Sequence, residues 1–251
     1  MHQFEVQKWF ELPPVFGYDI SFTNAAGFML LGVVLCIAFF GYAASRGKTV
    51  PNRLQSLGEI GYGFVADMIR GTAGEEGLRF FPFVFTLFFF ILFANLVGMV
   101  PYAFTTTSHI VVTGLLSLLV IGIVIGFGLW KNGLKFFGLF APSLGDMHIL
   151  GKAVVYAILI PIEIISFIAR PLTLSLRLFA NMLAGHILLK LFAGFAVTGI
   201  AAGGIGYLVA PLAFSMGVAL NALEFLVAGL QAYVFAILTC VYLNDALHPS
   251  H

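Results

Sequence analysis

Residues 153–192 read AVVYAILIPIEIISFIARPLTLSLRLFANMLAGHILLKLF. Almost every position is apolar, yet the run is twice as long as a membrane-spanning helix requires. At 1.5 Å per residue, about forty residues of helix extend roughly 55–60 Å, against a hydrocarbon thickness of about 30 Å. A second run of similar length, about Tyr207 to Leu243, follows it. Each must be steeply tilted in the bilayer or broken. Pro161, Pro171 and Pro211 are the candidate kinks, since proline is tolerated in membrane helices. Gly199, Gly203, Gly204 and Gly206 lie between the runs and let the chain reverse, so residues 153–243 are expected to form an antiparallel helical hairpin.

Composition places the rest of the chain in the same environment. Apolar residues make up 61% of it and charged residues 9%, against roughly 45–50% and about 25% in soluble domains. The expected fold class is all-α, a polytopic membrane protein forming one integral domain over 1–251. Residues 1–24 carry Glu5, Glu11, Asp19, Pro13 and Pro14 and lack the basic start and apolar core of a signal peptide. They are expected to stay as a segment outside the bilayer. The first span is expected over 25–44.

Between Pro51 and about residue 71, polar Ser56, Glu59, Asp67 and Arg70 alternate with apolar Leu54, Leu57, Phe64, Val65 and Met68 at helical spacing. That pattern predicts an amphipathic helix over 51–71 lying on the membrane surface. A transmembrane hairpin is expected over 80–130. Its first arm, about Phe80 to Val100, is rich in phenylalanine and reads as lipid-facing bulk. A turn containing Thr105, Thr106, Thr107 and Ser108 leads to the second arm, where Gly122 and Gly126 offer a smooth patch for close packing. Arg46, Lys48, Arg53, Arg70 and Arg79 fall in the loop at 45–79, and Lys131, Lys135 and Lys152 in the loop at 131–152, which also holds Asp146. The turn at 101–108 has no basic residue. The positive-inside rule therefore puts the two basic loops in the cytoplasm and the N-terminus outside.

The long C-terminal runs hold Glu163, Arg170, Arg177, His186, Lys190 and Glu224, with Asn181, Asn221 and Gln231. A charge at bilayer depth costs about 2.5–3.5 kcal/mol on insertion scales, so a cluster of them points to a water path or a binding partner. Two have plain alternatives: Lys190 snorkelling to a surface, and Arg170 pairing with Glu163. At 100° per residue Glu163, Arg170, Arg177 and Asn181 form one polar stripe, and Glu224 shares a face with Gln231. Folding the hairpin at Gly203 and Gly204 brings Arg177 level with Gln231, His186 with Glu224 and Glu163 with Asp245. An ideal helix puts His186 on the side opposite Arg177. Either the helix kinks between them or the polar path leads round it.

The densest motif is Arg170-Pro-Leu-Thr-Leu-Ser-Leu-Arg177-Leu-Phe-Ala-Asn181-Met-Leu-Ala-Gly-His186. Asn95-Leu-Val-Gly-Met-Val-Pro101, Leu230-Gln231-Ala-Tyr-Val-Phe235 and Leu-Thr-Cys-Val-Tyr242-Leu accompany it. With these runs, in this order, the chain resembles subunit a of the F-type ATP synthases over nearly its whole length. The resemblance implies two long, nearly horizontal helices curved around a rotor ring of small subunits, each with a membrane carboxylate. It places Arg177 on the essential arginine, Asn181, His186, Glu224 and Gln231 on the half-channel open to the outside, and Glu163 on the cytoplasmic one. Many bacterial relatives carry an acid at the position of His186 and a histidine at that of Glu224. The exchange seen here resembles mitochondrial-type members and points to a proteobacterium of the mitochondrial kind or to an organelle; a bacterial inner membrane is expected, with the mitochondrial inner membrane as the alternative.

The resemblance further implies a proton-translocating stator subunit that is itself non-catalytic. Its partners would be the rotor ring, peripheral stalk subunits, the lipid bilayer and, indirectly, the soluble ATPase head. The rival class is a secondary ion or solute transporter, but no internal repeat of the kind such folds show is visible. No His-Glu-x-x-His motif occurs, and Cys36 and Cys240 have neither metal nor disulfide spacing. Neither a metal nor a cofactor is expected. A net charge of +1 gives no reason to expect nucleic-acid binding.

Overall fold

The computed structural model describes residues 8–10, 21–45, 51–100, 103–133, 149–204 and 206–247, with the side chains of 9–10, 149–154 and 202 left aside. Most of the 1–24 segment, together with Arg46, Lys48, Lys135, Asp146 and the Lys152 side chain, therefore lies outside the described residues. Within them the chain is built from six α-helices. One element was not anticipated, a short antiparallel ribbon of β1 (Lys8–Phe10) and β2 (Phe22–Thr23).

Helix α1 (Asn24–Ser45) starts where two side chains can take up its free amides. The Asn24 carbonyl oxygen accepts from the Ala25 amide at 2.8 Å, and Thr23 Oγ1 accepts from Ala26 at 3.4 Å. Its 22 residues extend about 33 Å, one bilayer core. Leu30, Leu31, Val34 and Ile37 on it are exposed, as befits a surface solvated by lipid.

Helix α2 (Arg53–Gly77) is capped by Asn52, whose side chain accepts from the Arg53 amide. It bends at Gly74, where φ is +67°, a value that glycine alone adopts without steric cost. A 3-10 turn at Leu78–Phe80 then passes directly into α3 (Phe81–Gly98). Helix α4 covers Ile110–Asn132, α5 Ile149–Ala202 and α6 Gly206–Leu247. Five stretches among the described residues are long and apolar enough to cross a membrane: 24–45, 53–98, 110–132, 155–201 and 206–247. This is an all-α, multi-pass membrane protein.

The chain divides into two compact units. The first comprises Met1–Ala38, Phe89–Ile110 and Arg177–Tyr233. In it Phe28 stacks on Phe104, and a Cβ on Gly32 would lie at van der Waals distance from the backbone of Ala94. The second comprises Phe39–Phe88, Val111–Leu176 and Val234–His251. Its fully buried side chains include Val65, Ile69, Val84, Val120, Leu174 and Phe235. Ring contacts Phe40–Phe85 and Tyr62–Phe81 tie α1 and α2 to α3, and Phe80–Phe127 ties the turn to α4. Lys131 meets Glu76 at 2.7 Å, and the Asn132 amide donates to the Ala246 carbonyl.

Three readings of these elements need correction. The phenylalanine-rich arm is core rather than lipid-facing bulk, since Val84, Leu87, Phe88, Phe89 and Ile91 are buried. The apolar face of α2 is divided: Val65, Ala66, Met68 and Ile69 pack into protein, whereas Leu54, Leu57 and Phe64 stay exposed. Gly122 and Gly126 face open space, so the smooth patch packs against nothing among the described residues.

Candidate functional site

Helices α5 and α6 run without interruption through Pro161, Pro171 and Pro211. The chain reverses at Gly203 and Gly204, with φ of +64° and +54°. Either side of the turn the two backbones close up tightly. A Cβ on Gly206 would collide with the carbonyl of Gly199. The glycines in this link are thus required twice, for conformation and for approach.

Beyond the turn the polar side chains meet. His186 and Glu224 are both buried, 8% and 7% exposed, and Nε2 of His186 lies 3.7 Å from Oε1 of Glu224. Gly185 is what admits the carboxylate, because a Cβ there would sit 2.7 Å from Oε1. Among the described residues neither carboxylate oxygen of Glu224 has a hydrogen bond. One turn and two turns further along the same face of α6 come Ala228 and Gln231. Asn95 of α3, fully buried, donates to the Ala228 carbonyl at 3.2 Å while its Oδ1 has no hydrogen bond among the described residues. The Asn181 amide donates to Oε1 of Gln231 at 2.8 Å, and the buried Gln231 Nε2 has no acceptor among the described residues. Buried polar atoms left open in this way are the kind that ordered water fills.

Sequence pairing and observed pairing agree at His186–Glu224 and differ at the other two positions. Gln231 meets Asn181 rather than Arg177, and Asp245 meets Arg170 rather than Glu163. Level pairing assumes that both helices advance equally from the turn. Here α6 advances further than α5: from 224 to 231 on one helix against 186 to 181 on the other. Arg170 is therefore committed elsewhere than Glu163. It bonds Asp245 at 2.8 Å, with its guanidinium 5.2 Å from the Tyr242 ring and 5.9 Å from Phe167. Glu163 is half-exposed, with no hydrogen bond or ion pair among the described residues.

Arg177 stands apart. Its side chain is exposed and makes no hydrogen bond or ion pair among the described residues. Lys190 is also exposed. With His186, Asn221, Leu96, Phe192 and Phe214 it lines a cleft of about 880 Å³. Sequence reasoning did not single out Asn95, Thr105 or Gly185 as site residues. Asn95 was visible only as part of a motif, and a glycine beside His186 was the one signal for the close approach of Glu224.

A family model described as ATP synthase A chain matches residues 26–244 of the sequence. The chain belongs to that family. It is 73% identical over 248 residues to the "ATP synthase subunit a" of Hyphomonas neptunium, covering 99% of this chain and 95% of that one. It is 60% identical over 259 residues to the protein of the same name from Maricaulis maris, with 99% and 97% covered. The protein of that name from Azorhizobium caulinodans is 56% identical over 252 residues, with 100% and 98% covered. Membership of the ATP synthase A chain family makes the chain a membrane component of the F-type ATP synthase complex, and the transporter reading is not favoured.

Proposed function

We propose that this chain passes protons to and from the carboxylates of a rotor ring through two offset half-channels, with Arg177 as the barrier between them. The observation that carries the reading is Arg177 itself, exposed and unpaired among the described residues on a long apolar helix. An arginine at that depth without an internal partner needs an external one, and in this family a membrane carboxylate answers. A rotor carboxylate enters lipid only when neutral, because desolvating the anion costs far more than neutralising it. A guanidinium is a fixed cation in proteins. It favours the ionised carboxylate, so an arriving protonated one gives up its proton. The same fixed cation repels protons that would cross directly from one half-channel to the other.

His186 and Glu224 form the relay of the outer half-channel, with Asn181 and Gln231 carrying the polar path on toward Arg177. An imidazole beside a carboxylate is suited to this because histidine changes charge near neutral pH. Glu163 serves the cytoplasmic half-channel. The chain holds no ATP chemistry of its own and works with the rotor ring and the peripheral stalk in a bacterial inner membrane, the soluble head being reached through them. The test is contact with the ring. A cysteine placed at Leu176 or Ala180, both exposed on α5, should form disulfides with cysteines flanking the ring carboxylate in the native complex. Absence of such crosslinks, with the same cysteines reacting freely with lipid-soluble maleimides, would remove Arg177 from the ring.

A further inference from the structure

The turn between α3 and α4 carries four consecutive hydroxyls, Thr105 to Ser108, and all four side chains are buried. Thr105 is 1% exposed. Its Oγ1 donates to the Gly98 carbonyl at 3.4 Å and lies 3.2 Å from Nε2 of His186. Its backbone is braced by Ser108, whose hydroxyl and amide reach the Thr105 carbonyl at 2.6 and 3.2 Å. Its methyl group occupies the space that a Cβ on Gly98 would need, 2.9 Å away. A hydroxyl that donates to Gly98 can offer His186 only a lone pair, so the nitrogen facing it bears the hydrogen. That nitrogen is the one nearest Glu224.

We propose that Thr105 is the positioning residue of the His186–Glu224 pair, holding the transferable proton on Nε2 of His186. The proposal rests on the relay reading above. In the transfer the two side chains close from 3.7 Å to hydrogen-bond distance, the Nε2–H bond of the imidazolium breaks and the proton joins Oε1 of Glu224. The ring is left neutral, with its hydrogen on Nδ1. The Thr105 hydroxyl then turns from the Gly98 carbonyl and donates to the vacated Nε2 lone pair, and it turns back when the ring is protonated again. One hydrogen and two lone pairs allow both states. Valine has the shape of threonine and allows neither. Lys190, one turn along α5 and lining the same cleft, is the other charged group beside His186 among the described residues and is left unchanged in every comparison.

The experiment measures ATP-driven acidification and passive proton flux in vesicles carrying the assembled complex, both normalised to subunit content. Thr105→Val should slow flux about five- to tenfold, the worth of one hydrogen bond. Thr105→Ser keeps the hydroxyl and should stay within about twofold of the parent. In a His186→Leu background, adding Thr105→Val should cost nothing further, because the two groups act as one unit. Thr105→Ala replaces the valine variant if the latter assembles poorly. Parental flux in the valine or alanine variant, a serine variant as slow as valine, or an additive loss in the double variant would overturn the positioning role. If His186→Leu alone leaves flux unchanged, the relay reading falls too. If His186→Leu is slow while Thr105→Val is not, only the role of Thr105 falls.

Discussion

The buried ionisable pair of the site, His186 with Glu224, makes a prediction that depends on single side chains. Replacing either by leucine should slow proton flux by at least about tenfold, as expected when a positioned proton-transfer group is lost. Exchanging the two, His186→Glu with Glu224→His, keeps both chemistries at one depth and should recover part of the flux. A double exchange no faster than the slower single variant would mark the pair as structural. At this scale the sequence was informative wherever a residue was expensive. Arg177, His186 and Glu224 announce themselves because a membrane helix tolerates so few charges. Thr105 was silent, since hydroxyls are common in turns and only the fold shows that it faces His186, and Asn95 was visible only as part of a motif. Arg170 was visible as a charge, but its partner Asp245 was not, because the choice among acids depends on where two helices come into register.

Helix register can be tested directly. Cysteine pairs at 186 and 224, and at 181 and 231, should crosslink with a short reagent, following the contacts at 3.7 and 2.8 Å. The pair at 177 and 231 should react distinctly less, although level pairing from the turn would favour it. Equal or faster reaction of 177 with 231 would refute the observed register. The turn itself is the most constrained point, since a side chain on Gly206 must displace the Gly199 backbone. Gly206→Leu should lower assembled complex, at a cost of about 1–3 kcal/mol for overpacking, read as reduced subunit content in membranes. The reversal was legible because positive φ and close backbone approach both select glycine. The burial of α3 was not. An arm that is apolar all round carries no directional pattern, so nothing in it distinguishes a lipid neighbour from a protein one.

The whole molecule must be oriented for two half-channels to open on opposite sides. Thr106 is buried and unsuited to labelling. Exposed Lys8 and Glu59 serve instead. Cysteines at these two positions should label from opposite faces of sealed vesicles, Glu59 from the cytoplasmic side, as the distribution of basic residues predicts. Labelling of both from one face would reverse the assignment. The lengths of α5 and α6, 54 and 42 residues, correspond to about 80 and 63 Å. Unbroken helices of that length fit a core of about 30 Å only when steeply inclined. The two over-long helices were readable from run length alone, whereas the short β-ribbon was not, its strands being only three and two residues long.

The central claim is that protons cross only by riding the ring past Arg177. Arg177→Ala should abolish ATP-driven acidification and leave the membrane sector passively leaky, because no fixed cation then separates the half-channels. Arg177→Lys should also fail to couple, since a lysine desolvated beside the ring can release its proton and lacks the planar fork. The decisive measurement is vesicle acidification by the complex carrying Arg177→Ala, normalised to assembled subunit and paired with passive proton conductance. Loss of pumping together with raised conductance is the predicted result. Normal ATP-driven pumping per assembled complex would contradict it.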